Sequence, residues 1–188
     1  MLVIAGSSAG RSDHTAAVLT RVGGLAVRGI AVRPGRPALL GYARPGRIRA
    51  DQPVPTVPVI GIPDYPLAAA VIFELFAVPL LAALQGMRAP DRAWQRIQLA
   101  CDWTSSPDVE DWVPVSLPPA GTPAGLAGPA EPAGPHASCA VVATPGRRGA
   151  GSISRLMRAN AWWPIPIGQG QFARGTHIDV LPIPGTPP

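Results

Sequence analysis

Three short stretches of this chain gather residues suited to holding an anion. The first is AGSSAGRSDHT, which follows the apolar run Leu2, Val3, Ile4. Gly6, Ser7, Ser8, Ala9 and Gly10 let the backbone approach a ligand closely and turn N–H groups toward negative charge. Asp13 stands where a helix would begin. Its carboxylate could take a metal ion or a ligand hydroxyl, and it also reads as an ordinary N-cap. The second stretch is RPGRP at 33–37. Arg33 and Arg36, set among Pro34, Gly35 and Pro37, could clamp a phosphate or form a solvated turn. The third is GIPDYP at 61–66, where Gly61, Pro63, Asp64 and Pro66 lead into a long apolar segment. A helix starting there would aim its positive end at the same place.

These stretches need elements to position them. Leu2–Ala5 reads as a short strand. Residues 13–24 read as a helix, with Asp13 as cap, Val18, Leu19 and Val22 as an apolar stripe, and Gly23 and Gly24 as the stop. LAVRGIAV, 25–32, alternates as a strand. The first 33 residues therefore predict the start of a parallel α/β unit. ALLGY and PVIGIP predict two more strands. Pro66 suits the first position of a helix running to Gln85 or Gly86, and Pro79 should kink or divide it. Ligands in such sheets bind outside the carboxyl ends of the strands.

Past Gly86 the character changes. Trp94, Trp103 and Trp112 appear, WVPVSL reads as a strand, and the Pro/Gly/Ala-rich run at about 117–138 reads as a mobile loop. CAVVATP predicts a strand, GSISRLMRANAWWPIPIG a turn, helix and strand, and THIDVLPI a last strand. The Trp-rich segments read as core rather than as a stacking surface. The chain thus divides into an α/β domain at 1–89 and a small β domain at 90–188.

Composition narrows the function. The chain has 188 residues, 47% of them hydrophobic, and 25 prolines, which argues against an all-helical fold. Its net charge of +5 rests on 16 arginines and no lysine. Those arginines cluster in turns instead of forming a basic helix, which excludes the usual nucleic-acid readers. Leu67–Leu84 nearly reaches the roughly 20 residues of a membrane span. Glu74 at its middle favours a buried helix packed between a sheet and the second domain. No charged region precedes the first apolar run, so no signal peptide is read and a cytoplasmic setting is expected. Cys101 and Cys139 lack CxxC spacing and read as two thiols.

The order of the turns carries more than any one of them. AGSSAGRSDHT, AVRPGRPALLG, VIGIPDYPLAAAVIFELFAVPLLAAL and GSISRLMRANAWWPIP together resemble the C-terminal half of the molybdopterin molybdenumtransferase family, which includes MoeA and the gephyrin E domain. Members show a GG-x-S-x-G-x-x-D loop, an RPGKP-type turn, a G-x-PGNP turn before a FELF-type helix, and a late GS-x-x-x-SL-x-x-AN segment. The resemblance covers the chain apart from the low-complexity insert. It implies a partial three-layer, MogA-like molybdopterin-binding domain followed by a β-barrel-like domain.

It also implies roles. Gly6, Ser8, Gly10 and Asp13 match the pterin-phosphate loop, with Ser7 inside it. Residues 33–37 match a cationic turn near molybdate, Arg33 and Arg36 acting with Asp13 in catalysis. Gly61, Pro63, Asp64 and Pro66 match the third loop, and Ser152 and Arg158 the late one. The implied chemistry is cleavage of adenylylated molybdopterin, assisted by Mg²⁺ with Asp13 as its ligand, and insertion of molybdate. A small-molecule substrate is implied, and neither nucleic acid nor a membrane is expected as partner.

Two departures qualify this. Asp64 and Tyr65 replace the family's Gly-Asn, so a carboxylate stands where members hold anions. Members also carry further domains ahead of the point matching Leu2, which suggests a truncated form completed by an N-terminal chain or a homodimer. Non-catalytic binding or sensing of molybdopterin or molybdate, or an inactive remnant, are the alternative readings.

Overall fold

The computed structural model describes residues 1–4, 14–44, 46, 55–89, 91–117 and 151–185. The chain divides into two compact units, Met1–Ala89 and Pro90–Pro188.

The first unit is built on β1 (Leu2–Ile4), α1 (Thr15–Val22), β2 (Gly23–Arg28), β3 (Val32–Arg33), β4 (Leu39–Ala43), β5 (Val57–Ile62) and α2 (Pro66–Ile72). A π-helical segment, Phe73–Ala77, then leads into α3 (Val78–Leu84). The four-stranded sheet has the order β1-β5-β4-β2. β1 pairs parallel with β5, while β4 runs antiparallel to both β5 and β2. The expected strand–helix–strand run is present as β1, α1 and β2. β1 and β2 point the same way but occupy opposite edges of the sheet, because two later strands insert between them.

Two boundaries also move. The expected strand at 25–32 is broken at Gly29, whose φ is +78°. Here the Gly29 N–H donates to the Ala38 carbonyl at 2.8 Å and the Ile30 N–H to the Arg36 carbonyl at 3.0 Å. The 29–38 segment is thus a closed connection between β2 and β4. The cap of α1 is His14, not Asp13, and makes no side-chain capping bond.

β5 is buried continuously from Val59 to Ile62, the pattern of a strand covered on both faces. Ile60 and Ile62 pack with Ala38, Ile72 and Ala77 beneath the α2 helix. Leu40 joins that cluster, so the buried Leu39 points to the other face, where α1 contacts β4 and β2. Helices on both faces give the three-layer arrangement.

Pro66 occupies the first turn of α2. The long helix is not broken at Pro79. It widens instead, the Val78 N–H donating to the Phe73 carbonyl five residues back. Pro79 has no N–H to donate, and the wider turn relieves its clash with the preceding carbonyls. Pro66–Leu84 is long and apolar enough to cross a membrane by length and composition, and a third of it is buried. It is less enclosed than the sequence suggests: Phe73, Leu81 and Leu84 are exposed.

The second unit contains β6 (Gln95–Gln98), β7 (Trp103–Thr104), β8 (Glu110–Val115), α4 (Gly151–Arg158), β9 (Ala161–Ile165), β10 (Gln171–Phe172) and β11 (His177–Pro182). Its strands order as β8-β9-β11-β6, every pair antiparallel, with β7 and β10 as a separate ribbon. β6 and β8 do not pair, so among the described residues the sheet stays open rather than closing into a barrel.

Val113, Val115, Trp163, Ile165, Ile178 and Val180 form the core on one face. Trp112 and Trp162 are buried as a tilted pair, while Trp94 is exposed. Asn160 clasps the end of β8: its side chain accepts from the Leu117 N–H at 2.6 Å and donates to the Leu117 carbonyl at 3.2 Å. The strand expected at CAVVATP and the loop at 118–138 lie outside the described residues. Cys101 is disulfide-bonded, which corrects the expectation of two thiols; Cys139, the only other cysteine, lies outside the described residues.

Candidate functional site

Strand register decides which turns meet. Ile4 sits opposite Ile62 in the parallel pair, so the chain leaves β1 at the end of the sheet where β5 finishes. Leu39 sits opposite Gly61 in the antiparallel pair, so the turn before β4 arrives at that same end. The departure from Ile4, the RPGRP turn at 33–37 and the Pro63–Pro66 step therefore share one end of one sheet. Gly6, Ser7, Ser8, Gly10 and Asp13 fall in the stretch leaving β1 and lie outside the described residues.

The RPGRP turn is seated on the helix below it. Gly35 has a φ of +135°, and a Cβ there would come within 2.8 Å of the Ile72 side chain. No other residue type fits both constraints. The Ala38 N–H donates to the Gly35 carbonyl at 3.0 Å and closes the turn. Arg33 and Arg36 are both exposed, while Pro34 and Pro37 are half-buried beside them. The Arg33–Pro34 peptide bond is cis. Two guanidinium groups thus leave a turn whose backbone is fixed from beneath.

Gly61 and Pro63 serve the scaffold. A Cβ at Gly61 would meet the Leu39 side chain at 2.9 Å, so the glycine lets β4 and β5 pack at this end. Pro63 is almost fully buried. Asp64 and Tyr65 are exposed, and Tyr65 caps α2 without a side-chain hydrogen bond. The Ala69 N–H donates to the Tyr65 carbonyl at 2.8 Å. The N–H groups of Leu67 and Ala68, not singled out from the sequence, begin the helix at this end and belong to its positive pole. Pro66 is the signal that would have located them.

Ser152 stands apart from these turns in sequence and unit. It lies on α4 of the second unit, and its side chain is outside the described residues. Arg158, at the end of that helix, is exposed; its carbonyl accepts from the Ser116 hydroxyl at 2.6 Å.

The described residues do not by themselves fit a Mg²⁺ ion. No three His, Cys, Asp or Glu side chains gather among them, and among the described residues of the turns that meet at this end Asp64 is the one carboxylate. Mg²⁺ keeps several waters and is held by one or two carboxylates together with substrate phosphates, so these residues alone form no complete site. What the described arrangement offers is donors: two guanidinium groups and a helix start, suited to phosphate or another oxyanion.

Residues 1–83 match the model of a family described as "Probable molybdopterin binding domain". No curated protein matches the chain. Solved structures share its fold. A molybdopterin biosynthesis MoeA protein from Pyrococcus horikoshii superposes with a TM-score of 0.66 at 23% identity, over 98% of this chain and 37% of that one. A molybdenum cofactor biosynthesis protein from Pyrococcus furiosus gives 0.56 at 24%, over 86% and 46%. A MoeA structure from Pyrococcus horikoshii OT3 gives 0.54 at 20%, over 85% and 32%. The chain spans little more than a third of the first of these proteins, and its fold is theirs over that span.

Proposed function

We propose that this chain binds molybdopterin, in its adenylylated form, at the β1/β5 end of the first sheet and serves molybdenum cofactor biosynthesis. One observation carries the reading. Strand register brings three segments of a domain matched as molybdopterin-binding to a single end of one sheet. The ligand's phosphates are anions, and Arg33, Arg36 and the start of α2 are cationic or donor groups there.

In this reading Arg36 and Arg33 neutralise the phosphoryl oxygens, and Gly35 holds the turn that carries them. The stretch at 6–13 wraps the pterin phosphate, and its Asp13 would ligate Mg²⁺ if the ion takes part. Molybdate insertion with release of AMP is the reaction that completes the reading. The partner that goes with this reading is a complementing chain or a second copy of this one. A cytoplasmic setting goes with it.

A second reading has its own support. Asp64 places a carboxylate beside the helix start, and Tyr65 supplies no capping bond. A like charge there opposes the charge that builds on the oxyanion during cleavage, at a cost to affinity as well, which supports a binding role without turnover.

Isothermal titration of adenylylated molybdopterin into the chain tests binding, and AMP release in the presence of molybdate tests turnover. The assay is run alone and with the N-terminal half of a longer homologue. Binding with AMP release upon complementation supports the first reading. Binding without release supports the second. Absence of binding overturns both and leaves a remnant of the fold.

A further inference from the structure

We propose that Tyr65 gives the anion-binding end of the first sheet its flat apolar face, stacking on a planar nitrogen heterocycle of the ligand whose phosphates the arginines hold. This role rests on the molybdopterin reading above and deepens it: the ring selects for a heterocycle where the arginines select only for charge.

Tyr65 is the one aromatic residue in the segments that meet at this end. Residues 5–13, 33–37 and 63–66 hold no other in sequence. Its side chain is 50% exposed. Among the described residues its hydroxyl makes no hydrogen bond and its ring no aromatic contact. The position precedes a helix, where Ser, Thr, Asp or Asn would supply a cap, and tyrosine supplies none.

The backbone that carries the ring is fixed. Pro63 is buried on one side of it. Pro66 on the other holds Tyr65 in extended geometry, with φ −76° and ψ 126°. The Tyr65 carbonyl accepts from the Ala69 N–H at 2.8 Å. A tyrosine has only two side-chain torsions, so it offers a large contact area at little entropic cost.

The same helix ties the ring to the charges. Gly35 of the RPGRP turn is seated on Ile72 of α2. Tyr65 stands at the start of that helix, about 10 Å along its axis from Ile72. An arginine side chain and a heterocycle linked to phosphate together bridge that separation. Stacking accepts any flat ring, so adenine and the pterin share the chemistry that Tyr65 recognises.

Calorimetry on the full chain tests the role, with Tyr65→Phe keeping the ring and Tyr65→Leu keeping apolar bulk without it. Adenylylated molybdopterin should bind Tyr65→Phe within about twofold of the unaltered chain, and Tyr65→Leu about tenfold more weakly. Inorganic pyrophosphate carries charge and no ring, so it should bind the unaltered chain and both variants alike. AMP and 6-hydroxymethylpterin phosphate identify the stacked ring. A loss in Tyr65→Leu confined to AMP assigns it to adenine, and a loss confined to the pterin phosphate assigns it to the pterin. Adenylylated molybdopterin binding Tyr65→Leu as tightly as the unaltered chain overturns the role of Tyr65 and leaves the molybdopterin reading standing. An equal loss toward pyrophosphate overturns it too, since the substitution then disturbs the charged turn rather than a ring contact. Failure of the unaltered chain to bind adenylylated molybdopterin overturns the reading itself, and the role of Tyr65 with it.

Discussion

The two units spend their sequence differently. In the first, the distinctive residues sit in turns: Arg33, Gly35 and Arg36 before β4, and Pro63 to Pro66 after β5. The sheet beneath is ordinary, a run of valines, leucines and isoleucines. In the second, the distinctive residues sit in the strands. Trp112, Trp162 and Trp163 are buried there, and Asn160 locks one strand end to the next. Chemistry is hung on loops where a scaffold is cheap to specify, and packing dominates where the strands themselves are unusual. The first unit should therefore lose binding before stability, and the second stability before binding.

Substitutions can break that contrast. The largest effect should come from Trp163→Ala, which empties the centre of the second core and should cost about 3–5 kcal/mol, read as a lowered denaturation midpoint. Asn160→Ala removes both side-chain bonds to Leu117 and leaves its part-buried N–H unpaired, for about 1–3 kcal/mol in the same assay. Arg36→Ala should leave the midpoint nearly unchanged and weaken adenylylated molybdopterin about tenfold by calorimetry. A large loss of stability from Arg36→Ala would erase the distinction between the units. Asp64→Gly should have the smallest effect. Removing a like charge about 5 Å from a bound oxyanion gains under about 1 kcal/mol in water, so affinity should tighten about threefold at low salt. Equal or weaker affinity would show that Asp64 does not face the ligand.

Much of the first unit was legible because its signals are local. Pro66, the β5 apolar run and the α1 stripe each announce an element within a few residues. Strand order was not legible, because β4 and β5 insert between β1 and β2 through pairings that depend on residues tens of positions apart. The seating of Gly35 on Ile72 was hidden for the same reason. The RPGRP turn was noticed for its charges, and its glycine is explained only once α2 lies beneath it. In the second unit β11 alternates, and β8 and β9 read as short apolar runs, buried almost throughout. β6 does not, since Gln95, Arg96 and Gln98 give an edge strand a polar sequence. β7 and β10 are two residues long and leave no periodic trace. Asn160 was not singled out from the sequence, and its side chain bonds the Leu117 backbone.

The widened turn at Phe73–Ala77 has a consequence for how the long helix tolerates length changes. Ile72 and Ala77 are both wholly buried in the same cluster, five positions apart, where a regular α-helix repeats its inward face after three or four. The segment works as a one-residue phase shifter. Deleting a single residue within it would leave a regular α-helix with Ile72 and Ala77 four positions apart and still on one face, whereas a deletion in the turn that follows would swing every later residue by about 100° around the axis. Lost between Val78 and Leu81, one residue would turn Ala82 away from its buried position. The widened turn is the place where this helix can shed a residue and keep its inward face.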